Sequence, residues 1–202
     1  MTCGYDVLTA WVLASWIPEN WQAVPYLFFF GPSGSGKTWA LEVLKAICFR
    51  PFLAANMTMA SLFRIIERCK LTLFLDETEA YLMEDKRGML NLLNSGYRRG
   101  SPVARTGDAK QGYPVEFFDL FGFKAFAGTK ELIPALRSRC LIFNMSKTAR
   151  QDVRSEIDVK QAENLKQKLL YYRLARAIPI EAFFLGRLNR IRRACPRVWV
   201  VN

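Results

Sequence analysis

The sequence predicts an α/β fold: a five-stranded parallel sheet flanked by helices, followed by a small basic helical lid. Three observations predict it. Short apolar runs alternate along the chain with segments whose apolar residues recur at helical spacing, the pattern of repeated βα units. The first strand candidate, Pro25–Phe30, is apolar throughout, as a strand covered on both faces must be. From about Ser146 the pattern turns helical and basic, and this tail holds most of the net charge of +11.

Taken in order, Val7–Ile17 is an apolar run too short to span a bilayer and without the basic flank of a signal peptide. It reads as a helix packing on the domain, within an N-terminal segment of residues 1–22. Residues 23–145 form the core. Pro25–Phe30 is the first strand, Thr38–Phe49 a helix and Pro51–Ala55 the second strand. Thr58 caps a helix through about Cys69, with Leu62, Ile65 and Ile66 on one face. Leu71–Leu75 is the third strand, and Lys86–Ser95 a helix that Gly96 and Gly100 end. Phe123–Ala127 and Cys140–Phe143 supply the fourth and fifth strands. Residues 146–202 are the lid: Gln161–Ala177, a break at Pro179, then Ile180–Ala194. Its last residues, RVWVVN, lack a polar tail, so the lid reads as cut short and the chain as a fragment of something longer.

Composition bounds the class. The 202 residues suit one compact domain, and 15 Phe, 7 Tyr and 5 Trp supply a sizeable core. The five cysteines, Cys3, Cys48, Cys69, Cys140 and Cys195, are scattered and form no CxxC pair. That argues against a disulfide framework or a zinc site and for a reducing cytoplasm. With no histidine, imidazole acid–base chemistry is excluded.

One motif carries most of the chemistry. Gly31-Pro32-Ser33-Gly34-Ser35-Gly36-Lys37-Thr38 fits G-x-x-x-x-G-K-[ST] between a strand and a helix. The glycines let the loop bring its N–H groups close to phosphate, and the helix behind adds the positive end of its dipole. Lys37 is expected to reach the β- and γ-phosphates of ATP, and Thr38 to give a hydroxyl to Mg²⁺. A second signal is the apolar run Leu71–Leu75 ending in Asp76-Glu77. In a P-loop NTPase the first carboxylate organises Mg²⁺ and the second polarises the attacking water. The adjacent pair favours hydrolysis over transfer to a small molecule.

These residues resemble the AAA+ ATPases, well over Ala23 to Phe143 and loosely over the tail. Phe126-Ala-Gly-Thr129-Lys130 lies where that family has its sensor 1 polar residue, which the resemblance assigns to Thr129, with Lys130 second. Leu132-Ile-Pro-Ala-Leu-Arg137-Ser-Arg139-Cys140 is similar to the family's Ser-Arg-Cys box. The resemblance makes Arg139 a finger reaching the γ-phosphate of a neighbouring subunit, with Arg137 as its support, and implies a homo-oligomeric ring. Within Gly186-Arg187 and Arg190, it assigns Arg187 the sensor 2 contact to nucleotide.

Val103–Arg105 and Val115–Phe118 are spaced to pair as a hairpin with its tip at Gly107–Gly112. The hairpin resembles the one that superfamily 3 ring helicases project into their pore, where a basic tip tracks single-stranded DNA. Lys110, with Arg98, Arg99 and Arg105, is the contact set that this implies. A narrower resemblance, in Met89–Gly100 and Phe121–Gly128, is to helicase-like ATPase domains of phage and plasmid proteins, often joined to primases. The expectation is an ATP- and Mg²⁺-dependent motor acting on DNA. Two other readings stay open: an ATP-switched assembly module that recruits protein partners, and a clamp-loader-like remodelling ATPase.

Overall fold

The computed structural model describes residues 2–55, 57–79, 85–106, 115–148 and 156–176. A helix α1 (Thr2–Ser15) and a short 3-10 turn (Pro18–Asn20) lead into β1 (Tyr26–Phe30). Then come α2 (Lys37–Ile47), β2 (Pro51–Ala54), α3 (Met59–Cys69), β3 (Thr72–Leu75) and α4 (Lys86–Ser95). A hairpin of β4 (Val103–Thr106) and β5 (Val115–Phe118) follows. The chain continues through β6 (Lys124–Gly128), a one-turn helix α5 (Pro134–Arg137), β7 (Cys140–Asn144) and α6 (Val159–Arg176).

Five strands form one parallel sheet in the order β2-β3-β6-β1-β7. The fold is α/β, a parallel sheet flanked by helices. Period-2 alternation divides each central strand between two apolar layers. On one face Tyr26, Phe28, Leu73, Leu75 and Phe126 pack with Leu62, Phe63 and Ile66 of α3 and Met89, Leu92 and Leu93 of α4. On the other, Leu27, Phe29, Phe74, Ala125 and Ala127 pack with Trp11, Val12 and Trp16 of α1, Leu41 and Leu44 of α2, and Leu169 of α6. Burying each such side chain contributes about 1.5–3 kcal/mol, which is why β1 tolerates no polar position.

Local chemistry sets the helix ends. The Thr58 hydroxyl accepts from the Ser61 N–H at 3.3 Å, and the Asp85 carboxylate accepts from the Gly88 N–H at 2.7 Å. α4 stops at Ser95 with Gly96 as its cap. Gly100, at φ 79°, belongs to the turn that follows. α6 is tied to the start of the chain, where the Arg173 guanidinium grips the Glu19 carboxylate at 2.6 and 3.0 Å.

Three features depart from the sequence expectation. α1 begins several residues before Val7. α5 was not expected, because Ile133-Pro134 starts a turn too short to show helical periodicity. Lys124, the first residue of β6, is buried in the sheet although its side chain is cationic. The hairpin pairs Val103 with Phe118 and Thr106 with Val115. Its expected tip, with Lys110, lies outside the described residues. So do Arg187 and the expected helix Ile180–Ala194. Among the described residues no helix is long and apolar enough to cross a membrane.

Candidate active site

The site forms at the carboxyl ends of β1, β3 and β6. The loop after β1 turns back over the sheet edge, with Gly34 and Gly36 at φ 74° and 85°, a left-handed conformation that side chains resist. Gly36 stands at the N-cap of α2, and no side chain caps that helix. The first N–H groups of α2 are left for an acceptor from outside, and the helix dipole favours an anionic one. Lys37 folds over its own loop, its amine donating to the Gly31 carbonyl at 2.8 Å and the Pro32 carbonyl at 2.7 Å.

Across from the loop, the Thr38 hydroxyl donates to Asp76 Oδ2 at 2.7 Å. Asp76 Oδ1 accepts from the Glu77 N–H at 2.9 Å. Glu77 itself is held at φ 49°, a strained conformation for a residue with a side chain, of the kind that collects at functional sites. Because β6 lies between β1 and β3, its end delivers Thr129 to the space between the loop and the acidic pair. Lys37, Thr38, Asp76, Glu77 and Thr129 line one open cavity of about 440 Å³.

A hydroxyl and a carboxylate are hard oxygen donors, and with phosphate oxygens and water they suit the octahedral demands of Mg²⁺. Among the described residues no group of three or more His, Cys, Asp or Glu side chains is assembled to hold a metal.

The cavity has one more member that sequence reasoning missed. Glu79 Oε1 accepts from the N–H and the hydroxyl of Thr129, the latter at 3.1 Å, and from the Lys130 N–H at 2.8 Å. Partial burial works to raise the pKa of the Glu79 carboxyl, but hydrogen bonds from its own backbone N–H and from Lys130 and Thr129 outweigh it and hold the group below the usual carboxylate range. The only signal in the sequence was a third acid in Asp76-Glu77-Thr78-Glu79, and nothing local pairs it with residues 50 positions away.

Beside the phosphate loop, on the sheet face that α1 and α2 cover, lies a second, largely apolar cleft of about 910 Å³. Leu8, Val43, Phe143, Met145 and Leu165 line it, and Gly34, Gly36 and Trp39 border both spaces.

The arginines are distributed differently. Arg139 precedes β7, and its carbonyl accepts from the Tyr26 N–H at 3.0 Å, at the start of β1. The phosphate loop leaves from the other end of β1, about 13 Å away along the strand. The Arg139 guanidinium donates to the Asn94 side chain and stands 5.6 Å from the Tyr97 ring centroid. Arg137 is exposed, 3.9 Å from Glu131. Neither approaches the chain's own Lys37.

Two of the cations expected to face nucleic acid are engaged in the fold. Arg99 donates to the Trp21 and Pro18 carbonyls at 3.2 and 2.9 Å and stacks 4.4 Å from the Phe121 ring. Arg105 lies over Phe63 at 4.6 Å, with Asp85 at 3.9 Å. Arg98 is exposed, on a backbone bridge to Ala23.

No protein-family model matches the chain, and no curated protein matches it significantly. Among solved structures it is similar to an X-ray structure of an inhibitor-bound JCV helicase, at 16% identity and a TM-score of 0.44. The match covers 97% of this chain and 57% of the other, so the chain spans little more than half that protein's length.

Proposed function

We propose that this chain is an ATP-hydrolysing, AAA+-type motor domain that acts on DNA, helicase-like, in the replication of a mobile element. The observation that carries the nucleotide reading is the 2.7 Å contact between Thr38 and Asp76 beside an uncapped helix. On ATP binding, Lys37 exchanges two loop carbonyls for β- and γ-phosphate oxygens, and the free N–H groups of α2 take the rest of the phosphate charge. Thr38 and Asp76 would hold Mg²⁺, which when bound would supply positive charge to the phosphate oxygens. Glu77 polarises the attacking water, and Thr129 donates its hydroxyl at the γ-phosphate. The apolar cleft against Trp39 takes the base.

Arg139 belongs to the neighbour's site in this scheme, since its own phosphate loop is at the far end of the sheet. A planar guanidinium spreads the charge that develops on the transferred group. The active unit is then a closed assembly of copies, such as a ring. The hairpin β4–β5 would carry Lys110 to single-stranded DNA, with Arg98 as the exposed arginine nearby.

The test is ATP turnover with and without single-stranded DNA, in wild type, Lys37→Ala and Lys110→Ala. Loss of turnover in Lys37→Ala and loss of DNA stimulation in Lys110→Ala are expected. Turnover surviving in Lys37→Ala refutes the nucleotide site. The engagement of Arg99 and Arg105 in the fold favours a second reading, an ATP-switched assembly module. It predicts ATP-dependent association with slow turnover that DNA does not change.

A further inference from the structure

Resting on the nucleotide-hydrolysis reading above, we infer that Glu79 is the positioning residue for Thr129, and that turnover depends on this pairing as a unit. Thr129 directly follows β6, and a strand end leaves the next N–H groups without a ladder partner. One oxygen of Glu79 answers three donors there: the Thr129 N–H, the Thr129 hydroxyl at 3.1 Å and the Lys130 N–H at 2.8 Å. Hydrogen bonds to an ionised acceptor are about twice as strong as neutral ones. Together these three fix both the backbone and the side-chain torsion of Thr129. The segment is stitched a second time one residue earlier, where the buried Thr78 hydroxyl donates to the Ala127 carbonyl at 2.8 Å.

The arrangement needs close approach. A Cβ at Gly128 would lie 3.0 Å from Glu79 Oε1, so a side chain there would shift the carboxylate by a few tenths of an ångström against Thr129. Asp76-Glu77-Thr78-Glu79 thus divides its labour. Asp76 meets the nucleotide loop through Thr38, while Thr78 and Glu79 clasp the neighbouring strand. The acidic turn and the end of β6 move together, which keeps the carboxylates and the Thr129 hydroxyl in one register around the γ-phosphate. An error of an ångström in such a register costs rate more than affinity.

The test compares wild type, Glu79→Ala, Glu79→Gln, Thr129→Ala and the Glu79→Ala/Thr129→Ala double variant, in the full chain. Three quantities are read: kcat, KM for ATP, and affinity for a fluorescent ADP analogue, which reports a folded phosphate loop. Glu79→Ala is expected to lower kcat about tenfold to a hundredfold, with ADP-analogue affinity within about twofold of wild type. Glu79→Gln keeps the acceptor oxygen and recovers most of that loss. Glu79→Ala adds little in the Thr129→Ala background, because the two act through one contact. Unchanged kcat in Glu79→Ala, equal costs in both backgrounds, or a parallel collapse of ADP-analogue affinity would overturn the inference while leaving hydrolysis intact. Wild type that binds no nucleotide, or binds without turnover, would overturn the hydrolysis reading and this inference with it.

Discussion

Raising the pH from 7 to 9 should relieve a stability penalty that Lys124 imposes on the fold. Its side chain is fully buried, and its amine donates to the Leu120, Gly122 and Gly96 carbonyls at 2.8, 3.1 and 3.3 Å. The Tyr26 ring centroid is 5.2 Å away. Burial pushes the amine down from 10.5 to about 7, against the weaker pull of Asp119. In the unfolded chain the same lysine keeps its proton to about 10.4. Between pH 7 and that value the unfolded state binds more protons, so stability rises with pH. The penalty is complete below pH 7 and is relieved above it. At about 1.4 kcal/mol per pKa unit, and allowing for partial titration at pH 7, the gain from pH 7 to 9 is roughly 2 kcal/mol.

The perturbation is Lys124→Met, which removes the titrating group. Urea unfolding followed by tryptophan fluorescence at pH 7, 8 and 9 measures both proteins. The wild-type curve should climb relative to the variant by roughly 2 kcal/mol. The thiols of Cys48 and Cys140, pushed up to about 12 by burial, are common to both proteins and cancel in the difference. Parallel curves would refute the reasoning. The ammonium would then stay charged in the fold, balanced by its three carbonyls and the face of Tyr26.

Gly96→Ala should destabilise the fold by about 1–3 kcal/mol in the same assay, because its Cβ would meet Lys124 Nζ and the Leu120 carbonyl oxygen, each at 2.5 Å. Arg139→Ala should retain ATP binding by equilibrium titration but lose turnover, and mixing it with Lys37→Ala protein should restore some turnover through hybrid sites. Equal turnover with and without Arg139 would sink the finger assignment. Asp76→Asn should weaken Mg²⁺-dependent binding of ATP while leaving Mg²⁺-free binding nearly unchanged; an equal loss in both would deny Asp76 a role at the metal.

Much of the fold was legible because its signals are local. The aromatic run ending at Phe30 has to be buried on both faces, and only a central strand offers that. Thr58 marks its helix start by a hydrogen bond spanning three residues. Glu79 stayed hidden because its partner is 50 residues away, and a lone acid after Asp76-Glu77 resembles any solvated turn residue. The burial of Lys124 could not be read from its place in the strand. A lysine at a strand edge is ordinarily exposed, and only the three converging carbonyls make its burial tolerable.

By itself, the sequence determined which residues share the loop proposed to hold phosphate, since a glycine loop, its lysine and the following threonine are bound together by chain connectivity. It also determined that an acidic pair would end a buried strand. Strand order was left to the tertiary structure, and strand order decides what those residues meet. Inserting β6 between β1 and β3 sets Thr129 and Glu79 beside the acidic pair. Running β7 parallel to β1 puts Arg139 at the end of the sheet away from its own phosphate loop. Packing the turn after α4 against the segment before β1 turns Arg99 onto the Trp21 and Pro18 carbonyls. Each of these depends on pairings between distant segments, which burial and hydrogen bonding select only once the whole chain is assembled.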